Sequence, residues 1–100
     1  MEYQSIRNTS KEIKQLLANN KLKEAIGNLI DFADLTENKE FRNSIILKNA
    51  NYAQLRNQEI RNISDKIELE RNKLINSLLL ITDDIEEELI SSLSDKELFF

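Results

Sequence analysis

Residues 11–33 read KEIKQLLANNKLKEAIGNLIDFA and contain two helical patterns separated by a pair of asparagines. In the first pattern, Ile13 is followed by leucines three and four positions later. In the second, apolar residues recur with the same spacing at Leu22, Ala25, Ile26, Leu29 and Ala33. Residues three and four apart lie on one face of an α-helix. The stretch therefore predicts a short helical hairpin with a tight turn at Asn19-Asn20.

Polar residues mark the ends of this hairpin. Thr9 and Glu12 have the spacing of a capping box, in which each side chain can bond a free backbone amide of the first helical turn. This spacing predicts a first helix at about residues 9–19. The second helix is expected at about residues 21–35, and Thr36-Glu37-Asn38 ends it.

Residues that interrupt helices are almost absent, since the chain has no proline and Gly27 is its only glycine. Strand hairpins are therefore not expected. Gly27 itself lies inside the second helical pattern, where glycine costs about 1 kcal/mol relative to alanine. We expect that the first or the third helix packs closely against Gly27 and thereby offsets this cost.

A third helix is predicted at about residues 39–61. Its apolar stripe consists of Phe41, Ile45, Tyr52 and Leu55. Three further residues widen this stripe, namely Ile46, Ala50 and Ala53. A broad apolar face that includes alanines predicts contact with two neighbouring helices and close approach on one side.

A fourth helix is predicted at about residues 64–90, capped at Ser64-Asp65 and interrupted by Ser91-Ser92. Two series with a spacing of seven run along it, formed by Ile67, Leu74, Ile81 and by Arg71, Leu78, Ile85, while Ile75 and Leu79 add a second seam. Such spacing over fewer than four repeats fits packing inside a bundle at least as well as a coiled coil.

The predicted fold is all-α, a four-helix bundle in which the short hairpin packs on the long antiparallel hairpin of the third and fourth helices. Residues 1–100 are expected to form one domain, on their own or within a larger multidomain protein. Because the short helices cannot cover the long ones, part of the apolar surface of the long hairpin is expected to stay open.

The residue types needed for conventional catalysis are missing, since histidine and cysteine are both absent. This excludes the usual general base, nucleophilic triads and His or Cys metal sites. A single glycine also excludes a glycine-rich phosphate-binding loop. We therefore expect a non-catalytic protein without a cofactor or metal.

Charge is distributed unevenly along the chain, whose formal net charge is −4. Residues 83–100 are strongly acidic, whereas residues 37–63 are mildly basic. An acidic chain without a basic stripe is a poor ligand for nucleic acid. The longest apolar run, Leu78 to Ile81, is too short to span a bilayer, and the first ten residues do not resemble a signal peptide. A cytoplasmic location is the default expectation.

The run Asp83-Asp84-Ile85-Glu86-Glu87-Glu88 is the one constellation that resembles a metal or acid-base site. A solvated helix face is the simpler interpretation, because the run lacks the Glu-x-x-His pattern of di-iron bundles. The run also lies near the predicted end of the fourth helix, where negative charge opposes the helix dipole. That cost suggests that the charge serves a partner.

Three stretches resemble a known family: residues 11–33 quoted above, FRNSIILKNANYAQLRNQEIRN at 41–62 and IELERNKLINSLLLITDDIEEE at 67–88. They are similar to the bacterial effector-associated domains, especially the eleventh type. The resemblance implies a death-like adaptor of bacterial defence signalling, which joins an NTPase sensor to a peptidase or TIR-like effector by homotypic association. Eukaryotic death folds have six helices, whereas four are predicted here, so a shared function does not require a shared fold.

The charge pattern suggests how two copies would associate. We expect acidic residues of one copy, namely Asp83, Asp84, Glu86 and Glu87, to meet basic residues of another, namely Arg42, Lys48, Arg56 and Arg61. The alternative is a structural protein that forms a stable homodimer through its long helices. Leu98-Phe99-Phe100 is either a docking element or the start of a connection to a further segment.

Overall fold

The computed structural model describes residues 3–60 and 66–98. These residues form four helices, α1 (Tyr3–Ala18), α2 (Leu22–Asp34), α3 (Lys39–Ile60) and α4 (Lys66–Leu98). No strand occurs in this part of the chain. The prediction of an all-α four-helix bundle is confirmed.

The helices close into a bundle because each packs on its successor and α4 packs back on α1. A further contact joins α2 to α4 across the bundle. The 33 residues of α4 extend over about 50 Å, which accounts for most of the 58 Å length of the molecule. The 13 residues of α2 cover only about 20 Å, so much of the long hairpin lies beyond the short one.

One continuous core of buried apolar side chains holds the four helices together. Its largest completely buried members include Phe32, Leu29, Ile45, Leu78 and Ile85. Removing each such side chain from water stabilises the fold by about 1.5–3 kcal/mol. Two polar residues, Ser10 and Thr82, are also buried in this core.

The first helix begins at Tyr3, so the start predicted at Thr9 is wrong. The hydroxyl of Thr9 does not cap the helix but donates to the backbone oxygen of Ser5 at 2.9 Å, one turn earlier. Ile6 is 1% exposed and extends the buried stripe of α1 backwards from Ile13 through Ser10. Burial of Ile6 therefore outweighs the local capping signal.

The turn between α1 and α2 lies at Asn20, as predicted. Asn20 has a φ of 62°, and its amide bonds Leu17 O at 3.1 Å while the Lys21 amide bonds Leu16 O at 2.9 Å. These two bonds form a Schellman motif, which satisfies carbonyls at the end of α1. Asparagine tolerates this left-handed conformation better than most residues.

The connection between α2 and α3 is organised by two polar side chains. The Thr36 hydroxyl donates to Ala33 O at 2.7 Å at the end of α2. The Asn38 side-chain oxygen accepts from the Glu40 amide at 3.0 Å and caps the start of α3. The predicted break at residues 36–38 is confirmed.

The expected close packing at Gly27 is wrong. Gly27 is exposed, and a Cβ added to it would meet nothing within 4 Å. Its position inside the apolar pattern of α2 was misleading, because the buried stripe of that helix passes through Ala25, Ile26 and Leu29. The helix therefore carries the full cost of an interior glycine.

The narrow stripe predicted for α3 is confirmed, since Ile45 and Leu55 are buried and Phe41 and Tyr52 are packed against the core. The expected widening of this stripe is wrong. Its three members, Ile46, Ala50 and Ala53, are all exposed. The contacts of α3 with α2 and α4 are both made from the narrow stripe side, which leaves the other side of the helix to solvent.

The fourth helix starts at Lys66, while the cap predicted at Ser64-Asp65 lies outside the described residues. It continues to Leu98, so the predicted end near residue 90 is wrong. Serine has an intermediate helix propensity and neither glycine nor proline follows, which explains why Ser91-Ser92 does not stop the helix. The predicted core positions Leu74, Leu78 and Ile85 are buried.

Candidate interaction surface

Half of the predicted acidic site is bound to α1. The Lys14 ammonium lies 2.5 Å from Asp83 Oδ1 and 3.9 Å from Glu86 Oε2. The buried Ser10 hydroxyl also donates to Glu86 Oε2 at 3.1 Å. The side chain of Glu86 is 20% exposed, against 52% for Asp83. These two carboxylates therefore help to fix α1 on α4.

The other half of the acidic site, Asp84 and Glu87, is exposed. Leu80, one turn earlier on the same side of α4, is 65% exposed. With a rotation of about 100° per residue, all three lie roughly 180–240° around the helix from the buried Leu78. We call Leu80, Asp84 and Glu87 the α4 outer face.

The structure also changes the interpretation of the helix dipole. Since α4 continues to Leu98, the run that ends at Glu88 lies in the helix interior and not in its last turn. The dipole acts only within the terminal turns, so the expected electrostatic cost is absent. Among residues 3–60 and 66–98, no three carboxylates come together in a way that could hold a metal ion.

The predicted basic residues lie along α3 in different environments. Nη1 of Arg42 lies 3.2 Å from both carboxylate oxygens of Asp34, and this exposed pair joins α3 to the end of α2. Lys48 is half-buried and Arg56 is exposed. Arg61 lies outside the described residues. The fold therefore aligns three of the four predicted cations along a single helix.

Lys48 also lines a groove of about 340 Å³ between α3 and α4. Leu55 of α3 and Leu74 of α4 contribute apolar side chains to its lining. Glu70 and Lys73 also line it from α4, with Lys73 Nζ 3.6 Å from Glu70 Oε1. The residues that line the groove belong to α3 and α4. Its lining is mixed in charge and carries no arrangement that selects one kind of ligand.

The side of α3 opposite its buried stripe carries apolar side chains. Ile46 is 48% exposed and Leu47 is 68% exposed. Ala50 and Ala53 follow on the same side and are also exposed. We call Ile46, Leu47, Ala50 and Ala53 the α3 outer face. Its alanines place small side chains next to the larger Ile46 and Leu47.

The family model for effector-associated domain 11 matches residues 8–86. The chain belongs to this family. The match covers most of α1, all of α2 and α3, and α4 as far as Glu86. Effector-associated domains are regulatory, adaptor-type domains of effector proteins. No curated protein and no solved structure matches the chain.

Membership in the effector-associated domain 11 family confirms the resemblance seen in the sequence and implies that this domain binds protein partners. Within the described ranges, none of the helices combines the length and apolarity needed to cross a membrane.

Sequence reasoning missed Leu47 and Leu80 in this effector-associated domain. Both are leucines that fall outside the buried stripe of their own helix, at 68% and 65% exposure. A run of consecutive apolar residues could have indicated both positions, because one helix face does not use every residue of such a run. Leu80 follows Leu79, and Leu47 follows Ile46.

Proposed function

We propose that this effector-associated domain is a cytoplasmic, non-catalytic adaptor that couples an NTPase sensor to a peptidase or TIR-like effector in bacterial defence signalling. A copy of the domain on each protein would join the two by homotypic association. Family membership is the observation that carries this proposal. The absence of histidine and cysteine from the sequence supports a role in binding and not in catalysis.

The contact between copies is proposed to join the acidic residues of α4 to the basic residues of α3. Asp84 and Glu87 are its main acidic members, because they are exposed and the fold does not engage them as it engages Asp83 and Glu86. On the basic side, Arg56 is exposed, whereas Arg42 would have to exchange its contact with Asp34. Complementary charge of this kind sets specificity and association rate.

The test is the molar mass of the domain in solution, measured by light scattering over a concentration series at low and high salt. We expect the mass to increase with concentration and high salt to suppress this increase, because the screening length falls from about 30 Å at 0.01 M salt to about 3 Å at 1 M salt. The double variant Asp84→Lys, Glu87→Lys should remain a monomer under the same conditions.

A matched control is Glu12→Lys, Asp31→Lys, which makes the same change of net charge at exposed positions on α1 and α2. This control should assemble like the original protein. Assembly of the Asp84→Lys, Glu87→Lys variant at undiminished strength would refute the proposed contact. A dimer whose mass is constant in concentration and salt would instead favour the structural homodimer, a function suggested by the exposed apolar residues of α3.

A further inference from the structure

The α4 outer face combines an apolar side chain with acids in a single line. Leu80 is 65% exposed, and Asp84 and Glu87 follow it at i+4 and i+7. Residues with this spacing lie on one side of a helix. Leu80 is therefore an apolar projection with carboxylates on one flank, and the fold of a single copy gives it no cover.

The α3 outer face has the complementary shape and charge. Ala50 and Ala53 are exposed positions without a large side chain, and the partly exposed Ile46 borders them. Arg42 and Arg56, both exposed, stand on either side of this segment along the helix. The α3 outer face is therefore an apolar segment with small side chains between two cations, of which Arg42 is paired with Asp34.

We infer that the α4 outer face of a second copy binds the α3 outer face, an inference that rests on the proposed homotypic association. In this contact Leu80 packs over Ala50 and Ala53, against Ile46. Alanines at a helix contact allow the two backbones to approach closely, and a leucine inserted between them excludes water from the centre of the interface. The carboxylates of the second copy then meet the arginines of the first.

The spacing along the two helices supports this pairing. Glu87 lies seven residues after Leu80, a distance of about 10.5 Å along the helix axis. Positions seven residues before and after Ala50 are Asn43 and Asn57, which follow Arg42 and Arg56 directly. With Leu80 over Ala50, Glu87 therefore comes level with an asparagine of the same face. The arginine before that asparagine starts about 80–120° around the helix, so its long side chain would meet the carboxylate at the edge of the contact.

The contact joins two different surfaces. Each outer face lies opposite the buried stripe through which α3 and α4 contact one another, so the two faces of one copy point to different sides of the bundle. An interface between different surfaces is heterologous, and it either closes into a ring or continues as an open chain with one unused face at each end. Copies would add head to tail and the assembly would grow past the dimer.

The inference is tested with one variant for each face. Leu80→Gln removes the apolar projection of α4. Ala50→Glu replaces a small side chain of the α3 outer face with a larger one whose carboxylate repels those of the partner. Both positions are exposed, so helical content and the unfolding midpoint should not fall. Each change should weaken the contact by about 10- to 100-fold, and each protein alone should remain a monomer by light scattering.

The decisive sample is an equimolar mixture of the two variants. The Leu80→Gln protein retains its α3 outer face and the Ala50→Glu protein retains its α4 outer face, so one intact contact can form between them. The mixture should yield a dimer that does not grow further, while the original protein grows past the dimer at the same concentration. Leu35→Gln and Asn28→Glu are the controls, since both positions are exposed and lie outside the two faces.

The outcomes separate this inference from the function on which it rests. If the original protein assembles and charge reversal on α4 prevents assembly, but Leu80→Gln and Ala50→Glu assemble normally, the inference is wrong and the homotypic proposal stands. An original protein that stops at the dimer, or a mixture that stays monomeric, also overturns the head-to-tail contact. An original protein that is monomeric throughout overturns both.

Discussion

Gly27→Ala should make this domain more stable. Gly27 lies in the interior of α2, its φ is negative, and an added Cβ would have no neighbour within 4 Å. The substitution therefore introduces no clash and removes the propensity cost of glycine, about 0.8–1 kcal/mol. For a domain of this size, a gain of about 1 kcal/mol raises the melting temperature by roughly 4–8 °C.

The assay is reversible unfolding followed by circular dichroism, with both heat and urea. With a denaturant slope of about 1–3 kcal/mol per molar urea, the midpoint should rise by roughly 0.3–1 M while the slope stays constant. Gly27→Leu provides the discriminating comparison. At an open helical site leucine is nearly as favourable as alanine, so this variant should also be more stable than the original protein.

Close packing at Gly27 would give the opposite ranking. A neighbouring helix at van der Waals distance would make alanine neutral or unfavourable and leucine strongly destabilising. A loss of stability for Gly27→Leu would therefore refute the description of this site as open. The unfolding of Gly27→Leu is also measured at low and high protein concentration. A loss of stability seen only in the concentrated sample would place Gly27 in a contact between copies.

Two further sites give predictions of stability from local geometry, each read from urea unfolding. Asn20→Val should cost about 1–2 kcal/mol, because a β-branched side chain is disfavoured at the positive φ that the turn requires. Asn20→Gly should not lower stability, since glycine adopts this φ readily. An equal loss of stability for both variants would contradict this. Leu78→Ala should cost about 2–5 kcal/mol, because it leaves a cavity in the core. Thr82→Val should change stability by less than about 1 kcal/mol, since the Thr82 hydroxyl bonds only Leu78 O of its own helix.

Much of the fold could be predicted from local patterns. The predicted apolar positions of the second helix recur with helical spacing, and all five are buried, namely Leu22, Ala25, Ile26, Leu29 and Ala33. Asn20 and Thr36 mark turns because their side chains suit a left-handed residue and a helix end, respectively. These features depend on interactions within a few residues, which the sequence contains directly.

Features that depend on distant contacts could not be predicted in this way. The predicted start of α1 is too late because Ile6 is buried by the packing of α1 on other helices, α4 above all, which is distant in sequence. Similarly, Ile46 and Ala50 extend the apolar pattern of α3, and only the positions of α2 and α4 show that this side of the helix has no neighbour. Periodicity identifies an apolar face but does not show whether one copy of the chain covers it.

The acidic run shows why stability and association should be separable in this domain. Asp83 and Glu86 have an internal role through Lys14 and Ser10, so their presence needs no partner. Asp84, Glu87 and Leu80 are exposed and make no comparable contribution to the fold. Substitutions on the α4 outer face should therefore change assembly and leave the unfolding of the dilute monomer unchanged. Core substitutions such as Leu78→Ala should lower the free energy of unfolding and leave assembly unchanged as long as the domain stays folded. They alter packing inside the domain that no partner contacts.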